Sequence, residues 1–168
     1  MSIASPVQGP TDEAARLAKM TAMILSEGYT FANAYRLDQQ YLEALYAFGY
    51  DLQKRDQYSR AERVFRYLCF LNHYDSKLWI ALGFCCERQK QHKKALEAYM
   101  VASLVDVKNP IPVLRSAECL ILLDELSLAR RSAELAAKLS RGKSEYQQRF
   151  ERSQRLIQVI DKKQQKHK

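Results

Sequence analysis

Glycine and proline are scarce: five Gly and four Pro in 168 residues leave few places where a helix is forced to stop. Cysteine is equally unhelpful to a metal or redox reading. The four present, Cys69, Cys85, Cys86 and Cys119, form no CxxC pair, and three fall inside apolar helical stretches, so buried reduced thiols are expected. Histidine occurs three times, as His73 in a loop, His92 at the start of a helix and His167 at the chain end. None has a convergent Ser, Cys or carboxylate at a workable spacing. With no HExxH and no glycine-rich phosphate loop either, the chain carries no enzyme signature and implies no cofactor. No apolar run approaches the ~20 residues that span a bilayer. No charged segment followed by an apolar stretch and cleavage site opens the chain, so cytoplasmic residence without membrane association is expected.

Charge of one sign is in excess, at +8 formally, and it is unevenly placed. Positions 141 to 168 hold nine Lys or Arg against three Asp or Glu. Clustered basic residues are the electrostatic footprint of nucleic-acid binding. The tail lacks the interleaved aromatics of a single-strand groove, however, and Lys162, Lys163, Lys166 and Lys168 suit the negative end of their own helix. A solvated helix end without direct nucleic-acid contact is expected.

What is abundant is periodicity. Residues 42–75, 76–109 and 110–143 superpose as one 34-residue unit written three times. Position 8 then holds Gly49, Gly83 and Ala117, and position 20 holds Ala61, Ala95 and Ala129. Position 24 holds Phe65, Tyr99 and Ala133, and position 27 holds Leu68, Ala102 and Ala136. Small and large residues recurring at this period are the signature of tetratricopeptide repeats, antiparallel helix pairs stacked into a solenoid. Small residues at 8 and 20 let the two helices of a hairpin approach closely, and the bulky residue at 24 is expected to fill the space between one hairpin and the next.

The expected architecture is therefore all-α, with three tetratricopeptide-like helical hairpins in a right-handed solenoid, an N-terminal helix and a C-terminal capping helix. Helices are predicted near 42–55, 58–71, 76–89, 92–105, 111–123 and 126–139. The segment 1–10 is expected to be disordered. An N-terminal helical region at 11–41 begins at a Thr11 cap with Asp12 and Glu13 in its first turn, carries Leu17, Met20 and Ile24 along one side and stops at Gly28. A piece over 31–37 bridges into the repeats at 42–141. Region 142–168 supplies a last helix over 144–163, with Tyr146, Phe150, Ile157 and Ile160 as its apolar side, and the basic tail.

In such a stack the first, or A, helix of each hairpin lines the concave wall, and positions 2, 5, 9, 12 and 13 face it. Those positions hold Tyr46 and Tyr50 in the first repeat and Ile80 and Phe84 in the second. In the third they hold Ile111, Leu114, Ile121 and Leu122. A continuous apolar strip of this kind marks a partner surface. Repeat domains that clamp acidic C-termini place Lys, Asn and Arg at set A-helix positions. Here those positions hold Tyr46, Tyr50, Ala81, Ile111 and Arg115, and only Arg115 fits, so an apolar ligand is expected.

Short blocks outside the columns add a resemblance. Leu45 and Tyr46, AERVF at 61–65, Leu68 and Cys69, HYD at 73–75, Leu82 and Gly83, DVKNP at 106–110, AEC at 117–119 and SEGYT at 26–30 make residues 17–140 similar to the translocator chaperones of bacterial type III secretion systems, of the SycD or LcrH type. The resemblance implies a non-enzymatic cytoplasmic chaperone. Its partners would be hydrophobic translocator proteins, held soluble and unassembled before export through an extended segment near their N-terminus. Tyr46, Tyr50, Phe84 and Leu114 match the family's groove by position, with Ile80 and Ile121 beside them. The N-terminal helix with Leu17, Met20 and Ile24 would serve homodimerisation or translocator contact. A role as adaptor or co-activator of an AraC-type transcription activator is the alternative. At position 32, where the repeat pattern carries proline, stand His73, Val107 and Arg141, so the loops must be stiffened by something else.

If the columns are right, Ala95→Leu overpacks the hairpin and lowers unfolding free energy by roughly 1–3 kcal/mol, measurable by urea denaturation.

Overall fold

The computed structural model describes residues 12–26 and 28–166; the segment 1–10 and the Thr11 cap lie outside them. The helices are α1 (Asp12–Ser26), α2 (Phe31–Ala34), α3 (Gln39–Lys54), α4 (Tyr58–Leu71), α5 (Ser76–Arg88), α6 (His92–Val105), α7 (Pro110–Leu122), α8 (Leu126–Ser140) and α9 (Gln147–Lys166). One 3₁₀ turn, Ser144–Tyr146, precedes α9. The pairs α3/α4, α5/α6 and α7/α8 are the three hairpins, and neighbouring helices along the chain pack on one another from α3 through α9.

Each hairpin is punctuated by the same local chemistry. The A helices begin at side-chain caps: Asp38, Asp75 and Asn109 accept from the amides of Gln40, Lys77 and Ile111, satisfying a donor that has no helical partner. Asp38 is why α3 starts three residues before the repeat boundary. The turn from A to B places position 15 in the left-handed region, with Asp56 at φ 58°, Lys90 at 60° and Asp124 at 62°. The following amide then reaches back five residues, from Gln57 to Leu52, Gln91 to Cys86 and Glu125 to Leu120, each at 2.9 Å. This closure ties off the last A-helix carbonyls and needs no glycine. The short α2 starts at a capping box between Thr30 and Asn33 and ends at Ala34, just before Arg36 turns left-handed.

The four repeat columns are buried throughout, and the bulky column also packs within its own hairpin. A Cβ built on Gly49 would lie 2.9 Å from Phe65 Cζ, and one on Gly83 would lie 2.6 Å from Tyr99 Cε1. The position-24 ring therefore lies flat against the position-8 glycine of its own hairpin. In the third hairpin the ring is replaced by Ala133, and position 8 is Ala117, both fully buried. The two columns exchange volume: glycine under a ring, alanine under a methyl.

The loop between the first two hairpins is braced by Trp79, whose indole Nε1 donates to the His73 carbonyl at 2.9 Å. The stiffness that proline would supply thus comes from a tertiary hydrogen bond. At the far end α9 packs along α8 and α7. Ile160 is fully buried with Leu120 and Ala129, Leu156 packs against the cluster of Val113, Leu114 and Ala136, and Arg130 pairs with Asp161 at 2.9 Å. Capping follows from exposure of α8, which has no fourth hairpin to cover it.

The volume exchange has a measurable consequence. Gly83→Ala should destabilise by roughly 1–3 kcal/mol, whereas the same change in a Tyr99→Ala background should cost nearly nothing. A double-mutant cycle by urea denaturation that finds the two changes additive rejects the contact.

Candidate functional site

Three A helices bring one row of apolar side chains together. Tyr46 and Tyr50 from α3, Ile80 and Phe84 from α5 and Ile111 from α7 line a single open cavity of about 480 Å³. Tyr46 is 38% and Tyr50 49% exposed, while Ile80, Phe84 and Ile111 are half-buried. These side chains are held from behind and are wet in front. Tyr46 meets Phe65 edge-on at 5.9 Å, and Phe84 meets Tyr58 edge-on at 6.0 Å, the geometry aromatic quadrupoles favour. Lys54 sits 5.0 Å over the Tyr50 ring.

The remaining predicted groove residues lie elsewhere. Leu114 is only 5% exposed and belongs to the cluster between α7, α8 and α9. Ile121 packs against Leu120, Ala129 and Ile160. Leu122 is exposed but does not line the cavity. The capping helix explains the core positions of Leu114 and Ile121: α9 lies where a further repeat would, and the third A helix spends part of its inner face on it.

Polar residues complete the wall, and an apolar pattern does not reveal them. Lys77 occupies position 2 of the second repeat and Gln53 position 12 of the first, both on the inward-facing set. Gln53 joins α3 to α5 by donating through Nε2 to the Ala81 carbonyl at 3.1 Å. Tyr99 and Arg115 also border the cavity, and no A-helix rule could have found Tyr99, which comes from a B helix.

An ion-paired network closes one end. Tyr99 donates to Glu87 at 2.7 Å. Arg115 lies between Glu118 at 3.1 Å and Glu87 at 3.5 Å, and Arg152 of α9 also binds Glu118. Burial, then the Glu87 carboxylate, pushes the Tyr99 phenol well above its ordinary range, so it remains a donor at every physiological pH.

Leu17 on α1 is 58% exposed, and residues 14–19 all face solvent. The side chains of Met20 and Ile24, the rest of that stripe, lie outside the described residues.

Comparison with known proteins now fits the geometry. A tetratricopeptide repeat model matches residues 42–75, the first unit read from the columns. The low calcium response locus protein H of Yersinia pestis is 31% identical over 144 residues, 85% of this chain and 86% of that protein. The Yersinia enterocolitica type III secretion chaperone SycD, solved in complex with a peptide of the translocator YopD, superposes with a TM-score of 0.73 at 30% identity, covering 76% of this chain and 98% of that one. The chain belongs to the family of type III secretion translocator chaperones. A T3SS complex from Aeromonas hydrophila superposes more broadly, with a TM-score of 0.84 at 27% identity over 88% of this chain and 98% of that one. The resemblance read from short blocks thus holds along most of the chaperone's length, and no described helix is long and apolar enough to cross a membrane.

The chaperone's four thiols are all buried. Desolvation raises Cys69 and Cys119 to about 12 and Cys85 and Cys86 to about 11. Since the thiolate is the reactive form, iodoacetamide at mildly alkaline pH should label none in the folded protein and all four in denaturant, as counted by intact mass. Rapid labelling of a folded thiol would place it at an accessible site.

Proposed function

We propose that this chaperone binds an extended segment near the N-terminus of a hydrophobic translocator protein in the cavity formed by Tyr46, Tyr50, Ile80, Phe84 and Ile111, and keeps that partner soluble and unassembled until export. The single observation that carries the reading is the row itself. Five large apolar side chains from three helices face one open trough, although the fold offers them a buried alternative only at Leu114 and Ile121. Burying one such side chain is worth roughly 1.5–3 kcal/mol before ordering costs, so three anchors hold a short extended peptide at useful affinity. SycD, similar along nearly its whole length, is described in complex with a translocator peptide.

The chaperone acts by holding rather than by catalysis, in the bacterial cytoplasm. The stripe of Leu17, Met20 and Ile24 serves self-association or further contact with the translocator. An adaptor or co-activator role with an AraC-type activator would draw on the same groove or on the basic tail.

Phe84→Glu or Tyr50→Glu should abolish partner binding while helical circular dichroism stays unchanged, because both side chains are open to solvent on one side. Co-expression with the most hydrophobic secreted protein of the same operon provides the readout. A partner that stays insoluble with and without the chaperone overturns the proposal, and a reporter promoter raised without any solubilised partner supports the co-activator instead.

A further inference from the structure

The apolar trough does not end at Ile111. Ile111 and Arg115 also border a second cavity of about 330 Å³, whose far wall is α9. Its character changes abruptly. Arg115, Arg149, Arg152 and Arg155 line it against only Glu118 and Glu151, leaving an excess of two positive charges. Arg115 and Arg152 are held by Glu118, so they are fixed but partly neutralised. Arg149 lies over the Tyr146 ring at 5.9 Å, and Arg155 makes no ion pair among the described residues. Two guanidinium groups therefore line this pocket without an ion-pair partner among the described residues, next to a groove whose row of large side chains is apolar.

We propose that this basic pocket receives the carboxylate of an aspartate or glutamate in the same extended segment whose apolar residues occupy the groove; the inference rests on the groove reading. Guanidinium groups present paired donors matched to a carboxylate, and the pocket's continuity with the trough through Ile111 puts it within reach of the same chain. Packed helices lie about 10 Å apart, and extended chain advances about 3.3 Å per residue. The capping helix packs against α7, so the acidic residue stands about three residues beyond the anchor at Ile111. The arginines of α9 thus make the capping helix a reader of partner sequence as well as a lid on the core. They also set the register of the bound segment, since an apolar row alone tolerates a slide by one anchor.

Four synthetic peptides test this, each amidated so that no terminal carboxylate competes. All carry leucine at every third residue. Two have glutamate or glutamine three residues after the last leucine, and two have it three residues before the first, which covers both chain directions. Fluorescence anisotropy with the full chain should show one glutamate peptide binding roughly tenfold more tightly than its glutamine twin. In about 1 M salt, where screening acts within about 3 Å, that preference should shrink. It should vanish in an Arg149→Gln, Arg155→Gln double variant whose affinity for the glutamine twin is unchanged. Equal binding of glutamate and glutamine peptides to the unaltered protein, or a preference that survives in the double variant, overturns the basic subsite and leaves the groove standing. If no peptide binds, or if Tyr50→Glu binds them as tightly as the unaltered protein, the groove reading falls and this inference with it.

Discussion

The stack depends on how closely the two helices of a hairpin approach, and in the middle hairpin one contact sets that distance. The Tyr99 ring lies on Gly83 with no room for a methyl between them. The contact removes a large ring from water without leaving a void, and it places the phenol oxygen 2.7 Å from Glu87. From there the Glu87, Arg115, Glu118 and Arg152 network runs through α5, α7 and α9. The packing that closes the hairpin therefore also anchors the polar end of the groove, and a change in hairpin spacing would reach the site.

The same economy explains why the groove can stay apolar and open. In the first two hairpins the core is built from the buried columns at positions 8, 20, 24 and 27 together with Leu52, Leu78, Leu82 and the cysteines. The side chains at positions 5 and 9 of α3 and α5 stay partly open, with Tyr46 and Phe84 supported at their edges by Phe65 and Tyr58 and Ile80 resting on the core. A repeat protein builds its core between neighbours, so its inner wall is free to be written for a partner. The third repeat departs from this rule because it has no successor. Its inner face is divided between the groove, at Ile111, and the capping helix, at Leu114 and Ile121.

That division marks the limit of reading the site from periodicity. The inward-facing positions assign Tyr46, Tyr50, Ile80, Phe84 and Ile111 to one wall because helical geometry repeats faithfully from unit to unit. They assign Leu114 and Ile121 to it equally, since a repeat register contains no information about where the array stops. Gln53 and Lys77 occupy inward positions too, but as polar residues they carry no apolar signal. Tyr99 reaches the cavity from a B helix, and the arginines of α9 reach the neighbouring pocket from outside the repeats altogether.

The amino-acid sequence by itself determined the all-α class, the 34-residue unit, the buried columns, the reduced thiols and the family, because each depends on spacing along the chain or on local blocks that survive without knowledge of distant contacts. Only the tertiary structure decided that the large residue at position 24 covers the glycine of its own hairpin, that Trp79 replaces a loop proline, and that α9 claims half the inner face of the third repeat. Those outcomes turn on which surfaces meet once the helices are packed, and volume and hydrogen-bond complementarity between such surfaces has no period to read.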